Sequence, residues 1–78
     1  MSLSNKVQAM GKNINKLRKT NNLSQKEMAK ELKIGVKTLS KIERGILPPR
    51  LSASVLIDIY FHFGVRPSEL FDESLASL

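Results

Sequence analysis

Three residues, Lys33-Ile34-Gly35, separate two short segments that both show helical periodicity. From about Gln25 to Leu32, the apolar residues Met28, Ala29 and Leu32 recur at spacings of one, three and four and share one face. From about Val36 to Arg44, Leu39 and Ile42 do the same. So short a turn forces the two segments to cross at close range. The crossing explains why position 29 holds a residue as small as alanine. Ile34 is placed to plug the turn into a core, and Leu39 and Ile42 to hold the second segment down. Val36, Lys37, Thr38, Ser40 and Lys41 are then left facing outward.

The ends of these segments carry local signals. Ser24 and Glu27 form a Ser-x-x-Glu capping box at the start of the first. Gly35 stands at the cap of the second, and Gly45 stops it. Around this pair three more helices are expected. One runs from about Asn5 to Asn21, with Val7, Met10, Ile14 and Leu17 on one face and Gly11 weakening it slightly. Another runs from about Ser52 to Phe63, with Leu56, Ile59, Tyr60 and Phe63 as a core stripe and Gly64 as its stop. The last is short, Pro67 to about Asp72, opened by Pro67 and anchored by Leu70 and Phe71. Pro48 and Pro49 exclude regular helix from the stretch 45–50. No segment alternates with period two, so no sheet is expected. The expectation is an all-α, compact five-helix fold: one domain over 1–78, with its core in 5–72 and a short tail over 73–78.

Seventy-eight residues without cysteine allow neither a disulfide nor a thiolate metal site. No apolar run approaches the roughly 20 residues of a membrane span, and no signal peptide is expected. The charge is unevenly spread. Residues 1–50 hold twelve Lys or Arg and three acids (Glu27, Glu31, Glu43), a net +9. Residues 51–78 hold Arg66 and four acids (Asp58, Glu69, Asp72, Glu73), a net −3. A polyanion would meet the first part and avoid the second. Enzyme chemistry finds no foothold: there is no nucleophile elbow, phosphate loop or zinc-binding histidine pair. His62 is the sole histidine and is read as a surface or boundary residue. No cofactor, metal or small-molecule ligand is expected.

Two short helices joined by a turn of about three residues form a helix-turn-helix, whose second helix enters the major groove of DNA. The outward face of that second helix offers cations, hydroxyls and an apolar contact for a thymine methyl. Over residues 11–72 the chain resembles the Cro and lambda-repressor-like (Xre-type) family. The matching stretches are Ile14-Asn15-Lys16-Leu17-Arg18, Leu23-Ser24-Gln25-Lys26-Glu27-Met28-Ala29, Leu39-Ser40-Lys41-Ile42-Glu43-Arg44-Gly45, and Phe63-Gly64-Val65 followed by Leu70-Phe71. The resemblance implies that Gln25 bonds a phosphate and braces a side chain in the groove. It implies that Val36, Lys37, Thr38, Ser40 and Lys41 read bases or line the groove wall, and that Arg44 and Arg50 follow the DNA backbone. It also implies an ion pair between Arg18 and Glu43 that ties the first helix to the end of the third. Lys33 departs from the family's turn glycine, and Gly35 from its usual Ser or Thr cap.

Ile57 and Phe61 lie four apart beside the core stripe of the fourth helix. With Leu70 and Phe71 they are the candidate interface of a two-fold homodimer. The leading expectation is therefore a dimeric repressor binding a palindromic operator on double-stranded DNA, in the cytoplasm of a prokaryote or as a phage product, associated with the nucleoid. Alternatives of the same fold are an antitoxin or the controller of a restriction-modification operon. A protein-interaction module that has lost DNA binding is the alternative from another class.

Overall fold

The periodic segments form helices in a computed structural model that describes residues 3–48, 51 and 53–76. The order is α1 (Leu3–Thr20), α2 (Gln25–Leu32), α3 (Val36–Glu43), α4 (Ala53–Phe63), α5 (Pro67–Leu70) and α6 (Glu73–Ala76). No strand occurs among the described residues, in keeping with an all-α fold. The expected start of the fourth helix at Ser52 lies outside the described residues.

Three of the helices end in the same way. At Asn22 (φ 58°), Lys33 (φ 58°) and Gly45 (φ 81°) the backbone turns left-handed. In each case a later N–H reaches back five residues: Leu23 to the Arg18 carbonyl, Ile34 to that of Ala29 and Ile46 to that of Lys41. This arrangement satisfies carbonyls that the helix end would otherwise strand. Glycine and asparagine adopt it readily, whereas Lys33 does so against the steric preference of its Cβ. The capping box of α2 is formed: the Glu27 N–H donates to Ser24 Oγ at 3.0 Å, and the Ser24 N–H to Glu27 Oε1 at 2.8 Å. The backbone bond from Ser24 is the main reason the Glu27 carboxyl sits below its usual pKa.

α1 packs against α3, α5 and α6, while α2 packs against α3 and α4. Met10, Ile14, Met28, Ala29, Leu32, Leu39, Ile42, Val55, Ile59 and Leu70 form one buried cluster. Helices of eight residues, such as α2 and α3, are marginal alone, so this burial is what holds them. Tyr60 does not join the core stripe as expected. It is 50% exposed, and Val55 takes its place in the core. Successive helix residues step round by about 100°, so a stripe centred on Val55 and Ile59 carries Tyr60 to its far edge.

Two features exceed the sequence reading. Gly11 is buried where α1 crosses α3. A Cβ at this position would overlap the Ile42 carbonyl oxygen and crowd Glu43 O and Gly45 N, each at 3.2 Å. Its absence of a side chain is thus a packing requirement rather than a simple weakness of the helix. The expected tail is the second: residues 73–76 form α6 against α1. There Lys16 Nζ donates to the Leu75 and Ala76 carbonyls at 2.9 and 3.1 Å. Asn13 Nδ2 donates to the carbonyls of Leu70 (2.8 Å), Asp72 (3.2 Å) and Glu69 (3.3 Å).

Candidate nucleic-acid interface

Leu39 and Ile42 are fully buried and fix the inner side of α3. The outer side follows from that phase. Val36, Lys37, Lys41 and Arg44 are exposed, and Thr38 and Ser40 are half-buried along the edges. Lys37 and Lys41 lie one turn apart and project together. Arg44 caps the far end, its Nε donating to the Ser40 carbonyl at 3.3 Å. At the near end Gly35 supplies an extended cap residue (φ −74°, ψ 153°) and no side chain closes the first turn. The N–H groups there keep their outward donor capacity. Arg50, the other candidate backbone contact, lies outside the described residues.

The orientation of α3 is set at its C-terminal end by Glu43. This carboxylate is 4% exposed. It accepts from Arg18 Nε at 2.9 Å, Arg18 Nη2 at 3.1 Å, Asn15 Nδ2 at 2.6 Å and Gln25 Nε2 at 3.4 Å. Arg18 Nη1 continues to the Leu23 carbonyl at 3.0 Å. One buried charge therefore joins α1, the α1–α2 turn, α2 and α3. Burial alone would push the Glu43 carboxyl up. The hydrogen bonds from Arg18, Asn15 and Gln25, with the Arg18 charge, outweigh it and hold the group below its usual value. Gln25 thus spans from the first turn of α2 to the end of α3, half-buried. Asn15 had no role in the sequence reading. Its signal was available in part, since it lies three residues before Arg18 on the same helix face, but its partner is 28 residues away.

A family model described as a helix-turn-helix domain matches residues 11–74. The chain belongs to the helix-turn-helix domain family. No curated protein and no solved structure matches it. The helix-turn-helix pair is α2–α3, and a domain of this kind suggests a DNA-binding regulator. No helix among the described residues is long and apolar enough to cross a membrane.

The remaining candidate residues lie on α4 and at the end of α5, and they do not stay together. Ile57 and Phe61 are exposed on α4, by 51% and 76%. Leu70, expected beside them in a dimer interface, is instead a core residue, 1% exposed. α5 folds back beneath α4 and turns Leu70 inward, where no partner can reach it. Phe71 is half-buried against the same core. Tyr60 takes the place they leave: its ring meets that of Phe61 edge-on, with centroids 6.0 Å apart.

Proposed function

We propose that this chain is a sequence-specific transcriptional repressor of the Xre type, acting as a two-fold dimer on a palindromic operator in double-stranded DNA. The observation that carries the reading is the outward face of α3. Lys37 and Lys41 project from a helix whose inner face is fully buried and whose end is fixed by the Glu43 cluster. In this reading α3 lies in the major groove. Lys37 and Lys41 donate to guanine or to phosphate, Thr38 and Ser40 bond base edges or the groove wall, and Val36 meets a thymine methyl. Gln25 presents its second amide hydrogen, and the positive end of α2, to a phosphate. Arg44 and Arg50 continue along the backbone. Two copies place their α3 helices about 34 Å apart, one helical turn of DNA. Repression is steric and catalyses nothing, and the protein works in the cytoplasm, where it associates with the nucleoid.

Selection of sites from a random duplex pool tests this directly. The expected product is an inverted repeat with half-sites about one helical turn apart, bound less tightly as salt rises because phosphate neutralisation releases counterions. Lys37→Ala and Lys41→Ala should each relax preference at particular base pairs. A pool that returns no motif, with all binding lost at moderate salt, would reduce the basic half to a non-specific electrostatic surface.

A further inference from the structure

The left-handed stops of α1, α2 and α3 share their backbone bonds but differ in the residue that follows. In such a stop, the residue that donates back five positions commonly makes an apolar contact near the residue that accepts its bond. After α1 that residue is Leu23 and after α2 it is Ile34, and both pack against the buried cluster. After α3 it is Ile46, which is 47% exposed, and Leu47 beside it is 48% exposed. The accepting residue makes the difference. Ile34 returns to Ala29, which is buried, whereas Ile46 returns to Lys41 on the outward face of α3. The backbone there is nonetheless fixed. The Ile46 N–H donates to the Lys41 carbonyl at 2.9 Å, and the Gly45 N–H to that of Ile42 at 3.0 Å. An apolar pair is thus held at the end of the face proposed to meet DNA, just past Lys41 and Arg44.

We propose that Ile46 and Leu47 form an apolar wedge that enters the minor groove beside each half-site and unstacks a base step there. The protein then selects its operator by deformability as well as by base contacts. The proposal rests on the DNA-binding reading above. Length and chemistry support it. α3 has eight residues. It is therefore about 12 Å long, close to the width of the major groove. A helix with its first turn among the bases thus brings its last turn to the groove wall. Arg44 suits the phosphates of that wall. Ile46 and Leu47, the next residues but one, can offer a phosphate neither charge nor a side-chain hydrogen bond. Beyond the wall lies the minor groove, where leucine and isoleucine are among the side chains that part base pairs and kink the duplex. Charge argues against a second copy as the occupant. Lys41 and Arg44 border the pair and are exposed. Two copies meeting here would set like charges face to face, while a duplex brings the opposite charge.

The test uses the full chain and the selected operator, with 2-aminopurine placed at successive steps across and beside each half-site. The parent should raise the fluorescence at one step per half-site. Energy transfer between dyes at the duplex ends should report a bend of at least about 20°. Ile46→Ser/Leu47→Ser should abolish both signals. It should keep the parent's helical circular dichroism and melting behaviour, and the same slope of affinity against salt, because no cation is removed. Replacing the unstacked step by a stiff A-tract should cost the parent about tenfold in affinity and the serine variant less than about twofold. Ile46→Leu/Leu47→Ile keeps the apolar bulk and should behave as the parent. A parent that unstacks no step, or a serine variant that unstacks as the parent does, would overturn the proposal. A serine variant that melts well below the parent would place the two side chains in the fold, and would overturn it too. So would one whose only change is lost self-association in sedimentation velocity, which would make the pair a contact between copies. An operator that is selected but left unkinked removes this proposal alone, while selection of no operator removes the DNA reading and this one together.

Discussion

α1 holds the rest of the molecule in two places, and the two attachments are built from different physics. Toward α3 it offers a bare backbone at Gly11 and a buried charge, with Arg18 and Asn15 closing on Glu43. Toward α5 and α6 it offers Asn13 and Lys16, which donate to neutral backbone carbonyls. The first attachment is unforgiving. A buried ion pair contributes little net stability over an apolar substitute, yet removing one member strands the other. Close backbone approach likewise has no room for an added methyl. The second is adaptable, because Lys16 is partly solvated and water can replace its bonds. The element proposed to read DNA is thus held by the contacts that tolerate least change. The C-terminal helices are held by contacts whose loss is mild.

The largest expected effect breaks the first attachment. Arg18→Ala or Glu43→Ala should each destabilise the fold by about 3–5 kcal/mol, since each leaves an uncompensated buried charge. Urea denaturation followed by helical circular dichroism measures it. A loss near zero would mean that the pair is solvated and does not set α3. Gly11→Ala comes next. Alanine favours helix over glycine by nearly 1 kcal/mol, yet the overlap with the Ile42 carbonyl should reverse the sign and cost about 1–3 kcal/mol. A stabilised variant would show that α1 and α3 can move apart freely. On the second attachment, Asn13→Ala should cost about 1–2 kcal/mol through three carbonyls left with poorer partners, with no loss of DNA binding by the folded protein.

Acid sharpens the same contrast. The folded Glu43 carboxyl lies below its usual value of 4.5. Its contribution is therefore fully present above that value and is lost as pH falls through the folded one. Glu27, Glu69 and Asp72 are lowered too, so the parent protein should lose stability in this range for several reasons. Glu43→Gln should make the acid limb shallower than the parent's. Asn13→Ala should leave its slope unchanged, since neither the amide nor its carbonyl acceptors titrate. The smallest effect lies outside both attachments. Lys33→Gly relieves a left-handed lysine at the end of α2. Offset by the added freedom of the unfolded chain, it should stabilise the protein by about 0.5–1 kcal/mol in the same urea assay.

The same division explains what could be read from the sequence. The bounds of α2, its capping box and the stop at Gly45 were legible because each is decided by residues within one or two turns. The phase of α3 was legible because Leu39 and Ile42 leave one face for water. Where partners are distant in sequence, the signal thinned. Gly11 looks like a weak helix residue until α3 is laid across it. Asn15 and Asn13 are ordinary polar side chains until Glu43 and the α5–α6 carbonyls arrive from 28 to 59 residues away. α6 has four residues, too few to show a period. Tyr60 and Val55 exchanged surface and core because an apolar helix such as α4 has more apolar residues than buried positions. Only the packing of α2 and α5 decides which side is covered.

The central claim is that α3 reads sequence rather than merely attracting a polyanion. It is tested most directly by the ratio of affinities for the selected operator and a scrambled duplex at one fixed salt concentration. The ratio should be measured for the parent, for Lys37→Ala/Lys41→Ala, and for Lys19→Ala/Lys30→Ala, which removes the same charge from other exposed positions. The account predicts that the α3 double variant loses about tenfold or more of the ratio, as each good base contact is worth about 1–3 kcal/mol of discrimination. The other variant should weaken on both duplexes alike and keep its ratio. Equal ratios in all three proteins would contradict the account and leave α3 as one cationic surface among several.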